Sequence, residues 1–481
     1  MPGSAPTKSG RAVDDCGASA RHPGLGGYLR RSSIQVGASQ GVSLAAAFGV
    51  QIVLVRALNP SEYGALLLVI SLVAFGATIT RAGLNRMGVR FVSRELTLVG
   101  PRGARAAARV VLVSAVACAS VTFALYGSVV IPVLGVYVFN QPSLNRLAWV
   151  IAAACALEGC RFAVSETFRG FHCIGRSVIF GDAARRLLFL LAVAMFAAWG
   201  TLDLARVTGL LTASSAAVAV AAALGLTVAT RRAPWRGWRP TGHSTKPAWQ
   251  TLMLASLPLV IVEIANQSVS QGDIIVVGAI SSARNIGIYG AASRVSLLLL
   301  LPSVVLSTVL GSVVTDLHAR GEIARLGRLL RRAALVATVP MLLITVVMWI
   351  FGRSILGLVF GDTYRSGALV LAILVVGPLV NTLSGLCGMT LVMTGHQRTM
   401  VWVAGFTGPL TIALEVAAGH IGGITGVAVA SSFGTVLQNA LLTFQAWRKI
   451  GILTLPILHP TPLLRGGHHR AHHIGGSSRE Q

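Results

Sequence analysis

Charge is scarce in this chain of 481 residues: 11% of its side chains are charged, against roughly 25% in an ordinary soluble domain. Only 15 residues are acidic, and lysine is confined to Lys8, Lys246 and Lys449. Aromatic residues make up 6% and hydrophobic ones 54%, and the mean hydropathy is +0.73. A soluble protein could not cover that much apolar surface. The arithmetic excludes a soluble enzyme, a DNA-binding factor and a disordered scaffold. No C-x-x-C pair occurs among the six cysteines, and most of them fall inside apolar runs, which reads as small buried hydrophobes. No G-x-x-x-x-G-K-[ST] loop is present, so no nucleotide hydrolysis is expected. No catalytic constellation appears, and no cofactor or metal site is implied. His468, His469, His472 and His473 cluster only in a polar C-terminal stretch that reads as a solvated tail.

What is present is a succession of apolar runs. They fall at about 34–55, 64–82, 110–138, 147–168, 178–199, 205–229, 250–280, 286–315, 333–351, 366–393, 399–419 and 424–446. Each approaches or exceeds the ~20 residues that cross a ~30 Å hydrocarbon core. The expectation is an all-α polytopic membrane protein of about 12 transmembrane helices. Its domains are a tail (1–33), a six-helix bundle (34–229), a linker (230–249), a second six-helix bundle (250–446) and a second tail (447–481).

The formal charge of +25 does not indicate a nucleic-acid partner, because the basic residues are interleaved with the apolar runs. With the N-terminus in the cytoplasm, cytoplasmic segments carry 32 Lys+Arg and external loops carry 6, with Arg161 and Arg294 inside helices. This is the positive-inside pattern, and it places both termini in the cytoplasm. Residues 316–332, with Arg320, Arg325, Arg328, Arg331 and Arg332, read as a basic amphipathic surface helix.

The two bundles carry traces of a repeat. Val55 and Ala57 match Val277 and Ala279, and Tyr63-Gly64-Ala65 match Tyr289-Gly290-Ala291 after a four-residue insertion. Each half has an even number of helices, so both run in the same direction and are related by a pseudo-twofold along the membrane normal. A two-lobed bundle with a cleft between the lobes suits alternating access.

Polar groups inside the apolar runs are the candidate functional residues, because charge in hydrocarbon is costly. In the seventh helix Glu263, Asn266, Gln267, Ser270 and Asp273 fall within an arc of about 120° at 100° per residue. They read as a cleft-lining face, with interhelical hydrogen bonding as the alternative. In the fourth helix Glu158 and Arg161 are i, i+3 neighbours and read as a structural ion pair. Asp182, Arg185 and Arg186 read as interfacial. Arg294 in the eighth helix suits an oxyanion, which a guanidinium fork binds bidentately; a bond to Asp273 is the alternative. Arg81, near the cytoplasmic mouth, is with Arg294 a positive candidate of the cleft, and Arg56 at the external end is a weaker candidate for the same anion. Asp273 and Glu263 are candidates for ion coupling, Asp273 alternatively as the static partner of Arg294. Glu415 has no partner legible in the sequence.

Three stretches resemble bacterial polysaccharide flippases: VRALNPSEYGALLLVISLVAFGATITRAGLNRMGVRFVSREL (55–96), GDIIVVGAISSARNIGIYGAASRV (272–295) and MTGHQRTM (393–400). The resemblance covers roughly residues 30–450 and places the chain near the MATE-type multidrug exporters and lipid II flippases. It implies two bundles of twelve to fourteen helices in all. It further implies movement of polyprenyl-pyrophosphate-linked oligosaccharide across the cytoplasmic membrane, with membrane lipids, a polysaccharide polymerase and glycosyltransferases as partners. A MATE-type drug or cation antiporter is the alternative. A membrane glycosyltransferase is disfavoured because the external loops are too short for a catalytic domain.

Overall fold

The structure is a computed structural model that describes residues 25–171, 173–200, 202–232, 249–452 and 454–455. Helices account for nearly all of them, and no strand occurs among the described residues. The N-terminal half comprises α1 (Leu25–Ala57), α2 (Pro60–Arg81), α3 (Leu84–Leu98), α4 (Pro101–Val138), α5 (Ala148–Gly170), α6 (174–198) and α7 (Leu204–Arg232). The C-terminal half comprises α8 (Trp249–Ile280), α9 (Ala283–Leu298), α10 (Leu301–Ala319) and α11 (Ile323–Phe360). It continues with α12 (Ala368–Leu374), α13 (Val376–Leu383), α14 (Cys387–Met393) and α15 (Gln397–Ile450). Seven helical segments among the described residues are long and apolar enough to cross a membrane on their own.

Twelve passes result from how these helices join. α9 and α10 form one bent pass, and α12 to α14 form one broken pass with positive φ at Gly385 and Leu386. α15 is two passes. At Gly423 the backbone leaves helical geometry (φ 57°, ψ −141°), and a Cβ on Gly426 would lie 2.0 Å from the Ala418 carbonyl oxygen. Residues eight apart in a straight helix are separated by about 12 Å, so the chain reverses there.

α3 is the helix that does not cross. Leu84, Val92 and Leu96 on one side are buried, whereas Arg86, Arg90 and Arg94 on the other are exposed. It lies within the connection 83–109 and is the amphipathic helix of the fold. The surface helix expected over 316–332 is absent: α10 runs to Ala319, and Arg325, Arg328, Arg331 and Arg332 occupy the first turns of α11. Helix α1 begins at Leu25, inside the stretch expected to be a tail. Most of the expected linker, most of the C-terminal tail and its histidine cluster lie outside the described residues. Cys118, Cys155, Cys160 and Cys387 are free thiols; Cys155, Cys173 and Cys387 are buried, as expected of small hydrophobes.

The halves meet through two helical hairpins. The α1–α2 turn (Leu58, Asn59) and the α8–α9 turn (Ser281, Ser282) are each two residues long. Pro60 and the Asn59–Glu62 contact, in which the Asn59 N–H donates to Glu62 at 3.4 Å, start α2. A Cβ on Gly64 would lie 1.8 Å from the Ala283 oxygen, and one on Gly287 would lie 2.6 Å from the Pro60 oxygen. Ala283 follows Pro60, and Gly287 follows Gly64, by the same 223 positions. The contact is therefore reciprocal, as a twofold requires. It also corrects the sequence alignment. Neither turn contains a four-residue insertion, and Tyr289 stands one helical turn beyond the equivalent of Tyr63.

Candidate functional site: the seam between the halves

The end of the molecule that carries the two hairpin turns is tightly closed. Leu67 fills the space beside Gly290, and Leu68 the space beside Gly278. Tyr63 and Tyr364 meet edge to face with centroids 6.1 Å apart. Arg56 donates to the carbonyls of Leu358 (3.1 Å) and Val359 (3.4 Å) at the end of α11. Its guanidinium thus ties the two halves together. Helix α2 has 22 residues, about 33 Å at 1.5 Å per residue, and separates Arg56 from Arg81. One pyrophosphate cannot touch both, so Arg56, Arg81 and Arg294 do not form a single anion site.

Helix α8 runs along the seam, and its polar residues divide by direction. Glu263 forms an ion pair with Arg86 of α3 at 2.8 Å, and Gln271 accepts from Ser71 of α2 at 3.3 Å. Both contacts reach the N-terminal half. Asp273, on the opposite edge, accepts from Tyr289 at 2.9 Å inside the C-terminal half. At 100° per residue Gln271 and Asp273 point about 160° apart. Between these edges Asn266 and Gln267 are partly exposed, and Ser270 is exposed while donating to the Asn266 carbonyl at 2.9 Å. The stripe is therefore a hub whose centre opens to the cleft and whose edges grip both halves. Gln271 was not singled out from sequence, although its angular position could have flagged it.

Arg294 is partly buried in α9, and its Nε and Nη2 have no hydrogen-bond partner. Tyr63 of the opposite half and Asp273 are both within its electrostatic reach, but no ion pair to Arg294 forms among the described residues. Tyr63 donates instead to Gln51 at 2.8 Å, and the buried hydroxyl of Tyr364 also lacks a partner. Two unpaired guanidinium donors in a partly desolvated setting favour an oxyanion, which a guanidinium fork holds with charge-assisted hydrogen bonds. Glu415 acquires neighbours: it approaches Gly272 of α8, and Asp273 and Ser431 are within its reach. One carboxylate oxygen of Glu415 is buried without a hydrogen-bond partner.

The N-terminal half contains a denser charge network. Arg161 is 0% exposed and donates through Nε to Glu158 at 2.9 Å, through Nη1 to the Phe180 carbonyl at 3.0 Å and through Nη2 to Asp182 at 3.2 Å. Ser215 donates to Glu158 at 3.1 Å, and Arg185 lies 3.4 Å from the same carboxylate. Arg186 pairs with Asp182 at 3.5 Å. The wide turn Ile179–Ala183 in α6 has π-helical geometry, which presents the Phe180 carbonyl to Arg161. Glu158 and Arg161 are thus in contact, but as part of a network rather than as an isolated pair. Asp182 and Arg185, read as interfacial, belong to it. Arg81 stacks over Phe162 at 4.2 Å beside this network, with its Nε unpaired. Glu166, paired with Arg169 at 3.2 Å, is also within electrostatic reach of Arg81 and Asp182, so the arginines Arg81, Arg161, Arg169, Arg185 and Arg186 outnumber the carboxylates Glu158, Glu166 and Asp182 there.

Among the described residues no group of three or more His, Cys, Asp and Glu stands together as a metal site. The family model described as "Polysaccharide biosynthesis protein" matches residues 29–315, and the model described as MatE matches residues 258–417. No curated protein matches the chain. An inward-facing multidrug resistance MATE family transporter of the MOP superfamily is similar in structure, with a TM-score of 0.69 and 13% identity over 85% of this chain and 94% of that one. An outward-facing MATE family transporter gives a TM-score of 0.56 at 13% identity, over 88% and 95% of the two chains. A MOP superfamily transporter from Pyrococcus furiosus, whose binding pocket is described as having reverse polarity, gives 0.59 at 12% identity, over 88% and 95%. At such identities the likeness is one of fold, and this chain superimposes better on the inward-facing form.

Proposed function

The chain belongs to the polysaccharide biosynthesis protein family, and from that premise we propose that it flips polyprenyl-pyrophosphate-linked oligosaccharide from the cytoplasmic to the external leaflet by alternating access. The observation that carries this reading is Arg294, whose unpaired donors lie in the seam within reach of both halves. In this reading Arg294 holds the pyrophosphate. Arg81 receives it near the mouth, and Asn266, Gln267 and Ser270 meet sugar hydroxyls. The hairpin-turn end is external and both termini are cytoplasmic, following the charge asymmetry of the loops. The six-helix bundles 34–229 and 250–446 act as the two moving bodies. Membrane lipids surround them, and a polymerase and glycosyltransferases work on either side of the transport step.

The second reading is a MATE-type drug or cation antiporter. It is favoured by the MatE match over 258–417 and by the carboxylates of Asp273 and Glu415 within reach of one another. Proteoliposomes separate the two. A flippase moves a polyprenyl diphosphate glycan to the opposite leaflet, where an added glycosidase trims it, and Arg294→Ala abolishes the movement at normal expression. Proton- or sodium-driven efflux of a cationic dye, without movement of the glycolipid, would establish the antiporter instead.

A further inference from the structure

Arg86 and Glu263 form the only ion pair that joins the two halves among the described residues. Its setting is unequal. Glu263 is 15% exposed on α8, whereas Arg86 is 52% exposed on α3. The contact is close, yet the Glu263 oxygen makes no aligned hydrogen bond. Arg86 also begins a row. Arg90 and Arg94 follow at four-residue intervals on the exposed side of α3, which places them along one face of the helix. The row leads from the surface to the seam and ends at a carboxylate.

A diphosphate is a stronger partner for a guanidinium than a single carboxylate, because it has more charge and more oxygens for the bidentate fork. The exposed side of Arg86 leaves its guanidinium open to such a competitor. We propose that Arg86–Glu263 is an exchangeable latch: a diphosphate arriving along Arg94, Arg90 and Arg86 displaces Glu263, so that α8 is released from α3 only when the headgroup is bound. Arg86 is a headgroup-binding residue in this scheme. Glu263 is the internal competitor that keeps an empty carrier from cycling. The inference rests on the flippase reading and deepens it, and it gives Glu263 a role other than ion coupling.

The test measures binding of polyprenyl diphosphate to the full chain in phosphatidylcholine nanodiscs, with inorganic pyrophosphate as a second probe that lacks the lipid tail. Glu263→Gln removes the competitor and tightens binding of both probes by about tenfold. Arg86→Gln weakens binding by a similar factor. In the Arg86→Gln background, Glu263→Gln changes affinity by less than about twofold, because the competition needs both partners. A static structural pair predicts that neither variant tightens binding. A general field effect of the Glu263 charge predicts a gain that survives in the Arg86→Gln background. Either result overturns the latch. Should Arg86→Gln not yield folded protein, Arg86→Met, which keeps the aliphatic stem, takes its place. A wild-type chain that binds neither probe overturns the flippase reading as a whole, whereas binding without the expected asymmetry overturns the latch alone.

Discussion

Gly64 and Gly287 each leave the space that the other's helix needs: the Ala283 carbonyl enters beside Gly64, and the Pro60 carbonyl enters beside Gly287. Both neighbours are backbone atoms and cannot rotate away. A methyl group at either position must therefore push α2 and α9 apart. Gly64→Ala is expected to weaken closure at the hairpin end and to raise the population open on that side. Leu68, fully buried in the wild type, reports this when replaced by cysteine. Its labelling by a membrane-impermeant maleimide should rise several-fold in Gly64→Ala over the Gly64 parent. Unchanged labelling would show that the seam tolerates the methyl by another route.

The network around Arg161 predicts an asymmetric stability effect. Arg161→Met leaves Glu158 with Ser215 and the more distant Arg185, and it leaves the Phe180 carbonyl without its donor. Breaking a buried pair from one side costs on the order of 3–5 kcal/mol. Thermal unfolding in detergent should show a large loss for Arg161→Met. Replacing both Glu158 and Arg161 with Gln and Met should recover much of it. Equal losses in the single and double variants would argue against pairing as the source.

Asp273 separates two roles. Asp273→Asn keeps its shape but carries no exchangeable charge. If the group couples an ion to transport, the variant folds and binds headgroup, yet no longer responds to an imposed proton or sodium gradient. If Asp273 is instead the static counter-charge of Arg294, folded protein is lost and Arg294→Gln restores it. Tyr289→Phe gives a second measure. It removes the 2.9 Å donor to a buried carboxylate, which should cost about 1–3 kcal/mol, read as a lowered melting temperature.

Arg294→Lys tests the need for a planar fork. Lysine supplies charge but not two parallel donors. Transport should fall about tenfold or more while a diphosphate still binds weakly, and Arg294→Ala should lose both. Wild-type transport by Arg294→Ala at equal expression would remove this residue from the site.

The passes were legible because apolar length and interleaved arginines are local signals. Arg294 was legible for the same reason, as one charge within an apolar helix. What sequence alone could not supply was direction. Glu263 and Asp273 share a stripe on paper, yet they grip opposite halves, because a helix at a seam faces two bodies. Glu415 seemed isolated because Gly272 and Asp273 lie more than a hundred residues away. The repeat was visible, but its register was not. Tyr63-Gly64-Ala65 and Tyr289-Gly290-Ala291 look equivalent, whereas the reciprocal carbonyl contacts pair Gly64 with Gly287. The density of arginines points to a basic surface helix at 316–332. It formed at 84–98, where arginines and apolar residues alternate at helical spacing.

The reversal of α15 at Gly423 bears on how the protein is made. From Val416 to Trp447 the sequence contains no Asp, Glu, Lys or Arg, so the turn and the second arm enter a bilayer without a charged side chain. The first arm carries Glu415, and a charged side chain costs roughly 2.5–3.5 kcal/mol at the centre of an inserting helix, a cost that Ser431 on the second arm offsets once it is in place. During synthesis the first arm therefore waits for the second. A chain terminated between the arms exposes the turn without its packing partner, so the last two passes are acquired together or not at all.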